Sequence, residues 1–154
     1  KPVEYYAAYF TVRSENLDGA IAMQGHQAVR DKMNNIKQKQ SVHEATAKDE
    51  AEFQTLQIVN EMMARKIEFL PVDIYKSEAK MFKVEDGKIR FPFSSLPGVG
   101  GAAADSLAET GKHTEYLSIE DMQIKTKVTK AVIETLKDVG VLKDLPESSQ
   151  MSLF

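Results

Sequence analysis

A short glycine-rich stretch, SSLPGVGGAAAD at residues 94–105, constrains the fold more than any other part of this sequence. Gly98 and Gly100 flank Val99, which predicts a tight turn where the backbone needs room or a positive φ. Three alanines follow, and alanine is the best helix former, so we expect a helix to start directly after the turn. Such a helix start presents unpaired N–H groups and the positive end of a dipole, which suits an anion such as phosphate.

Composition limits which classes of protein remain. The chain has 154 residues, of which 42% are hydrophobic, so a packed core is feasible. No apolar run approaches the roughly 20 residues needed to cross a bilayer, and we expect a cytoplasmic protein with no membrane contact. The absence of cysteine excludes disulfides and cysteine-based zinc sites. With a net charge of −3, any contact with nucleic acid must come from a local basic face.

The first 70 residues follow a helical pattern that is already under way at Val3, so we expect the chain to be part of something longer. Pro2 suits a first helical turn, and an aromatic stripe of core residues follows. Further helices are predicted over residues 20–39 and 47–66, the latter with acids in its first turns and bases in its last. Together these three helices form one lobe. The predicted stripe comprises Tyr5, Tyr6, Tyr9 and Phe10.

The residue composition changes after Pro71, where β-branched and aromatic residues become frequent. Asp86-Gly87 lies between two alternating runs, which predicts a β-hairpin. Ser118 and Thr129 are predicted N-caps of two later helices. The fold class is therefore mainly α (α+β): a helical lobe, then a small β-ribbon and a helical unit around the glycine turn.

The sequence offers no catalytic or metal site. Glu120 and Asp121 are explained by a helix start, where acidic side chains are favourable. His26, His43 and His113 are far apart in the chain and surrounded by polar residues, so no metal site can be built from them. The glycines also lack the Gly-Lys-Ser/Thr ending of a nucleotide-binding loop. We expect a non-catalytic segment.

The glycine turn resembles a known DNA-binding unit. LPGVGGAAADSLAE is similar to the hairpin of the helix-hairpin-helix motif, with Leu96 and Val99 at its hydrophobic positions. That resemblance implies phosphate contacts through backbone amides at residues 98–101 (Gly98, Val99, Gly100 and Gly101), with no reading of base sequence. The alternative is a glycine turn that only packs two elements together. The preceding FPFSSL is barely one turn long, and whether the hairpin holds a monovalent cation stays open.

Lysines near the turn extend the predicted DNA-binding surface. Basic residues outnumber acidic ones on and before the β-ribbon (Lys76, Lys80, Lys83, Lys88 and Arg90), and a second group precedes the last helix. The alternative is an ordinary solvated face. The lysines predicted to contact DNA are Lys76, Lys125, Lys127 and Lys130.

The last five residues, QMSLF, resemble the pentapeptide by which bacterial DNA-handling proteins bind the sliding clamp. In that reading Gln150 supplies an amide for hydrogen bonds, and Leu153 and Phe154 are apolar anchors, with Met151 and Ser152 between them. We expect no packed element after Pro146, and a tail that is flexible until it binds a partner.

Several blocks of the sequence together resemble the C-terminal end of PolC-type DNA polymerase III, the replicative polymerase of low-GC Gram-positive bacteria. They are PVEYYAAYFTVR, IVNEMMARKIEFLPVDIYKSEAKMF, FPFSSLPGVG and DLPESSQMSLF. The resemblance implies that residues 1–70 are similar to the end of the fingers, 71–145 to the domain that grips duplex DNA, and 146–154 to a clamp-binding tail. It also implies that the catalytic, magnesium-binding palm lies elsewhere in a longer nucleotidyltransferase chain. Alternatives are an interaction scaffold within a larger assembly and a helix-hairpin-helix module of a DNA repair protein.

Overall fold

Ten helices and strands follow one another along residues 1–148, the residues that this computed structural model describes. Short 3₁₀ turns at Ser14–Asn16 and Phe93–Ser95 join some of them. The predicted fold class, mainly α with a small sheet, is confirmed. The elements are α1 (Val3–Val12), α2 (Gly19–Ala22), α3 (His26–Ser41), α4 (Ala47–Ala64), β1 (Phe69–Leu70), β2 (Lys83–Glu85), β3 (Lys88–Arg90), α5 (Gly101–His113), α6 (Ile119–Thr126) and α7 (Lys130–Asp138).

Local capping explains where three of the helices begin. At α4, the Thr46 hydroxyl accepts from the Asp49 amide and the Asp49 carboxylate accepts from the Thr46 amide, which is a complete capping box. Ser118 caps α6 by accepting from the Asp121 amide, and Thr129 caps α7. The N-caps predicted at Ser118 and Thr129 are therefore confirmed, and each satisfies an amide that the helix itself cannot.

The predicted single helix over residues 20–39 is wrong, because the structure has two helices there. Asp18 caps the short α2 by accepting from the Ile21 amide, and α3 begins only after Gly25. Gly25 has a φ of +107°, which no residue in a continuous right-handed helix adopts. The hydrophobic periodicity runs through this break, so the pattern alone did not show it.

The sheet has three strands in the order β1-β3-β2. Asp86 and Gly87 both have positive φ, at 52° and 77°, so the predicted β-hairpin is confirmed, and Val84 is paired with Ile89 across it. The third strand was not predicted: β1 pairs with β3 in parallel, with Phe69 opposite Ile89. Two residues are too few to give a strand pattern in sequence.

One aromatic cluster joins the helical lobe to the rest of the chain. Phe10 of α1 lies 5.5 Å from Phe69 and 5.7 Å from Phe82, measured between ring centroids, and Phe69 stacks on Phe91 at 4.2 Å. The Thr11 hydroxyl also accepts from the Phe82 amide. The predicted division at residue 70 thus falls within a shared sheet and core.

The predicted aromatic stripe of α1 is divided between core and surface. Tyr6 and Phe10 are fully buried, whereas Tyr5 is 40% exposed and Tyr9 is half-buried. The cations of Lys1 and Arg13 lie over the Tyr5 and Tyr9 rings, at 4.8 and 4.1 Å.

Near the end of the described chain, Pro146 and Glu147 lie against the start of α6. The carbonyls of Pro146 and Glu147 accept from the amides of Ile119 and Glu120, at 2.8 and 3.1 Å. These two residues therefore belong to the folded part rather than to the tail predicted from residue 146. The pentapeptide Gln150–Phe154 lies outside the described residues. Within residues 1–148, no helix combines the length and apolar character that crossing a membrane requires.

Candidate nucleic-acid interface

The glycine turn is a hairpin that leads into α5. Leu96 and Val99 point inward and are almost fully buried, as predicted for the hydrophobic positions. Gly98 has a φ of +91°, and the Val99 amide donates to the Leu96 carbonyl at 3.1 Å, which closes the turn. The element before the hairpin is only the 3₁₀ turn Phe93–Ser95, so the first helix of the motif is reduced to a single turn.

Four consecutive amides at the start of α5 are open. The first backbone bond of this helix runs from the Ala104 amide to the Gly100 carbonyl at 2.9 Å. The N–H groups of residues 100–103 have no hydrogen-bond acceptor anywhere in residues 1–148. A methyl group placed on Gly100 would meet nothing within 4 Å, so an anion has room to approach this backbone. The arrangement is that of a helix N-terminus free to bind phosphate.

One of the predicted amide donors is unavailable. We expected the Val99 amide to contact an anion, but it is used within the turn, and the Val99 side chain is a core anchor. Gly98, Gly100 and Gly101 keep open amides. Of the predicted amide donors to phosphate, those of Gly98, Gly100 and Gly101 therefore remain, and Val99 has a structural role.

A second hairpin of the same form joins α6 to α7, and it was not predicted from the sequence. Lys127 has a φ of +62°, Val128 is buried, and Thr129 is the N-cap of α7. The order is the same as at Gly98, Val99 and Gly100: a left-handed residue, a buried valine and an N-cap. The only sequence signal is the valine between two polar residues, because a lysine takes the place of the glycine.

The two hairpins are connected through α5. The Ser106 hydroxyl of α5 donates to the Thr126 carbonyl at the end of α6. A methyl group on Gly98 would lie 3.4 Å from the Thr135 hydroxyl of α7, so the first hairpin also sits against the helix that follows the second. Both hairpins thus belong to one packed unit.

The predicted lysines differ in their availability. Lys127 and Lys130 flank the second hairpin and make no ion pair with any other described residue. Lys125 instead pairs with Asp121 at 2.9 Å. The pKa of Asp121 is lowered, first by the Leu117 amide and then by Lys125, so this carboxylate stays charged and holds the lysine.

The lysine that lies beside the first hairpin is Lys80 rather than Lys76. The Lys80 ammonium lies 3.6 Å from the position that a β-carbon on Gly101 would occupy, beside the open amides. Lys80 was noted as a basic residue but was not among the predicted contacts. Lys76 lies near Glu85, whose pKa is lowered mainly by its hydrogen bond to Arg90 and more weakly by Lys76.

Other bases of the ribbon are used within the protein. Lys88 pairs with Glu68 at 3.4 Å, and Arg90 pairs with Glu85 at 2.8 Å. Counting charges in the sequence did not reveal these pairs. In the part of the chain that the structure describes, no three histidine, aspartate or glutamate side chains come close enough to hold a metal ion.

Known proteins of two overlapping groups are similar to this chain. The family described as a helix-hairpin-helix motif matches residues 66–151, which include both hairpins. DNA polymerase III PolC-type of Thermotoga maritima is 37% identical over 153 residues, or 99% of this chain. The proteins of that name from Clostridium perfringens and Halalkalibacterium halodurans are each 40% identical over 153 residues. The chain spans only 10 to 11% of the length of these relatives.

Proposed function

Since the chain belongs to the helix-hairpin-helix family, we propose that residues 71–145 hold duplex DNA without regard to base sequence. The observation that carries this proposal is the pairing of open amides at the start of α5 with unpaired lysines at both hairpins. Amides of Gly98, Gly100 and Gly101 would bind phosphate oxygens, and Lys80, Lys127 and Lys130 would add charge. Such contacts position a protein on DNA but carry no sequence information.

The surrounding charge supports a local rather than a general attraction to DNA. The chain as a whole carries a net charge of −3, so nonspecific binding over its entire surface is not expected. Lys112 and Lys137 are neutralised by Glu78 and by Glu134 with Glu147, whereas the hairpin lysines are not. Lysines without an ion pair in residues 1–148 therefore include Lys80, beside the open amides, and Lys127 and Lys130, at the second hairpin.

We further propose that the chain is the C-terminal portion of a DNA-directed DNA polymerase that acts in DNA replication in the cytoplasm. The similarity to proteins named DNA polymerase III PolC-type covers 99% of the chain, which favours this over a DNA repair module. Residues 1–70 would be the end of the fingers, packed against the rest of the polymerase. Nucleotidyl transfer and its magnesium ions would belong to the palm of the longer chain, outside these 154 residues.

The terminal pentapeptide is proposed to bind the bacterial sliding clamp. Gln150 would hydrogen-bond in a pocket of the clamp, and Leu153 and Phe154 would fill it, with Met151 and Ser152 as the spacer. The support is the sequence pattern QMSLF together with the similarity to replicative polymerases.

A monovalent cation bound at the first hairpin is a separate part of the proposal. The carbonyls of Gly98 and Val99 accept no hydrogen bond from residues 1–148, so this chain has oxygen ligands to offer. Replacing potassium with a bulky organic cation at equal ionic strength would weaken DNA binding if such an ion takes part.

Fluorescence anisotropy of a labelled duplex tests the DNA contact. We expect weak binding that is the same for unrelated sequences and falls steeply between 50 and roughly 200 mM salt, because fewer condensed counterions are then released. Lys127→Glu with Lys130→Glu should weaken binding at least fivefold. Lys48→Glu, an exposed change in the first turn of α4, is the matched control and should leave affinity unchanged.

The rival function is a protein-interaction scaffold in which the hairpins never meet DNA. It predicts no anisotropy change when the 154-residue chain is added to the duplex at low salt. Equal affinity of the double lysine variant and the unaltered chain would remove the second hairpin from the DNA surface.

A further inference from the structure

Two large apolar side chains are exposed at α6, one just before the helix begins and one within it. Leu117 and Ile124 are each 67% exposed, compared with 75% for Val12 and 59% for Val42 on the first lobe. The Leu117 amide donates to the Asp121 carboxylate at 2.9 Å, which holds Leu117 against the first turn of the helix. Asp121 and Ile124 are three residues apart in α6 and lie on one face of that helix, and this hydrogen bond holds the Leu117 backbone beside the same face. We call Leu117 and Ile124 the α6 patch.

The end of the folded chain is attached beside this patch. The Pro146 and Glu147 carbonyls accept from the first two amides of α6, those of Ile119 and Glu120. Glu147 is also paired with Lys137 of α7 at 3.0 Å. Pro146 and Glu147, near the end of the described chain, therefore lie at the N-terminal end of α6, close to Leu117.

The length of chain beyond this attachment limits where a partner can sit. Gln150 is three residues after Glu147, and three extended residues span at most about 10 Å. A protein that holds Gln150–Phe154 must therefore bring its surface close to the start of α6. Exposed apolar residues are common on protein surfaces, and what distinguishes this pair is its position beside a short tether.

We propose that the α6 patch is a second contact with the sliding clamp, made together with the terminal pentapeptide. This inference rests on the proposed function of the tail. Because the pentapeptide is tethered so closely, contact at the patch adds to one binding event at high effective concentration. The patch then fixes the orientation of the DNA-holding unit on the clamp, which a single contact at the pentapeptide does not do.

Calorimetry against a bacterial sliding clamp tests the patch with three ligands. They are the complete 154-residue chain, a synthetic peptide of residues 146–154, and the complete 154-residue chain carrying Leu117→Ser and Ile124→Ser. We expect the complete chain to bind at least fivefold more tightly than the peptide, and the double variant to fall to the affinity of the peptide. Val42→Ser is the matched control and should bind as the unaltered chain does.

The outcomes separate the patch from the tail. Equal affinity of the double variant and the unaltered chain overturns the patch, as does a peptide that binds as tightly as the complete chain. A chain lacking residues 149–154 that binds normally overturns the proposed role of the tail, and the double variant still decides the patch. No binding by the complete chain overturns both. Thermal unfolding of each variant verifies that these surface changes leave the fold intact.

Discussion

At the scale of single residues, Arg90 shows how a basic residue that the sequence adds to a local positive charge can be used internally. Its side chain is only 8% exposed and forms two bonds with the Glu85 carboxylate, at 2.8 and 2.9 Å. A third bond reaches the Pro71 carbonyl at 3.1 Å. The Arg90 hydrogen bonds are the main reason why the pKa of Glu85 is lowered. This pair therefore stabilises the sheet rather than a ligand.

Removing the carboxylate should leave Arg90 buried without its partner. We expect Glu85→Gln to lower the free energy of unfolding by about 2 to 3 kcal/mol at pH 7. The lowered pKa means that the pair contributes fully above the ordinary glutamate value of about 4.3 and is lost as the pH falls through the folded-state pKa. Urea unfolding at pH 7 and pH 3 should show the difference narrowing at pH 3.

The matched control for this residue is Glu68→Gln. Glu68 pairs with Lys88 at the surface, where both side chains are about half exposed or more, so its loss should cost less than about 0.5 kcal/mol. A Glu85→Gln protein as stable as the unaltered chain at pH 7 would show that the buried pair contributes nothing.

At the scale of elements, the two hairpins reach one backbone shape with different residues. Glycine occupies the left-handed position of the first, and Lys127 occupies that of the second. The left-handed conformation costs a residue other than glycine roughly 1 to 2 kcal/mol. Hydrogen bonds of Gln123 offset this, since its carbonyl accepts from the Lys127 amide and its side chain donates to the Val128 carbonyl.

The glycines of the first hairpin should differ in their tolerance of alanine. Gly98→Ala should lower the free energy of unfolding by about 1 to 2 kcal/mol, because φ is +91° and the new methyl group meets Thr135 at 3.4 Å. Gly100→Ala should change it by less than about 0.5 kcal/mol: alanine is a poorer N-cap than glycine, but φ is −73°, the space is open, and alanine lowers the entropy of the unfolded chain. Urea unfolding of both variants measures this, and equal costs would contradict the assigned geometry.

At the scale of the whole molecule, the aromatic cluster makes the two halves one structure. Phe10 comes from α1, Phe69 from β1, and Phe82 and Phe91 from the segment around the β-hairpin. Phe10, Phe82 and Phe91 are almost fully buried. A core shared in this way couples the unfolding of the helical lobe to that of the sheet.

We therefore expect a single unfolding transition and a large effect at Phe10. Phe10→Ala should lower the free energy of unfolding by about 3 to 5 kcal/mol. Far-ultraviolet circular dichroism and tyrosine fluorescence should agree with each other on the urea midpoint of the unaltered chain, and should likewise agree on the midpoint of the Phe10→Ala variant. Tyr5→Ala, at the exposed side of the same helix, should cost about 1 kcal/mol. Two separate midpoints would show that the halves unfold independently.

The sequence by itself determined the features that depend on neighbours in the chain. Helix caps, the Asp86-Gly87 turn and the left-handed Gly98 each follow from the conformational preferences of a few adjacent residues. The tertiary structure decided the pairing of β1, the internal use of Arg90, the second hairpin at Lys127 and the return of Glu147 to α6. These depend on contacts between residues distant in sequence or on conformations that a residue's intrinsic preference disfavours. Composition and periodicity record neither, because both describe the chain before it has folded back on itself.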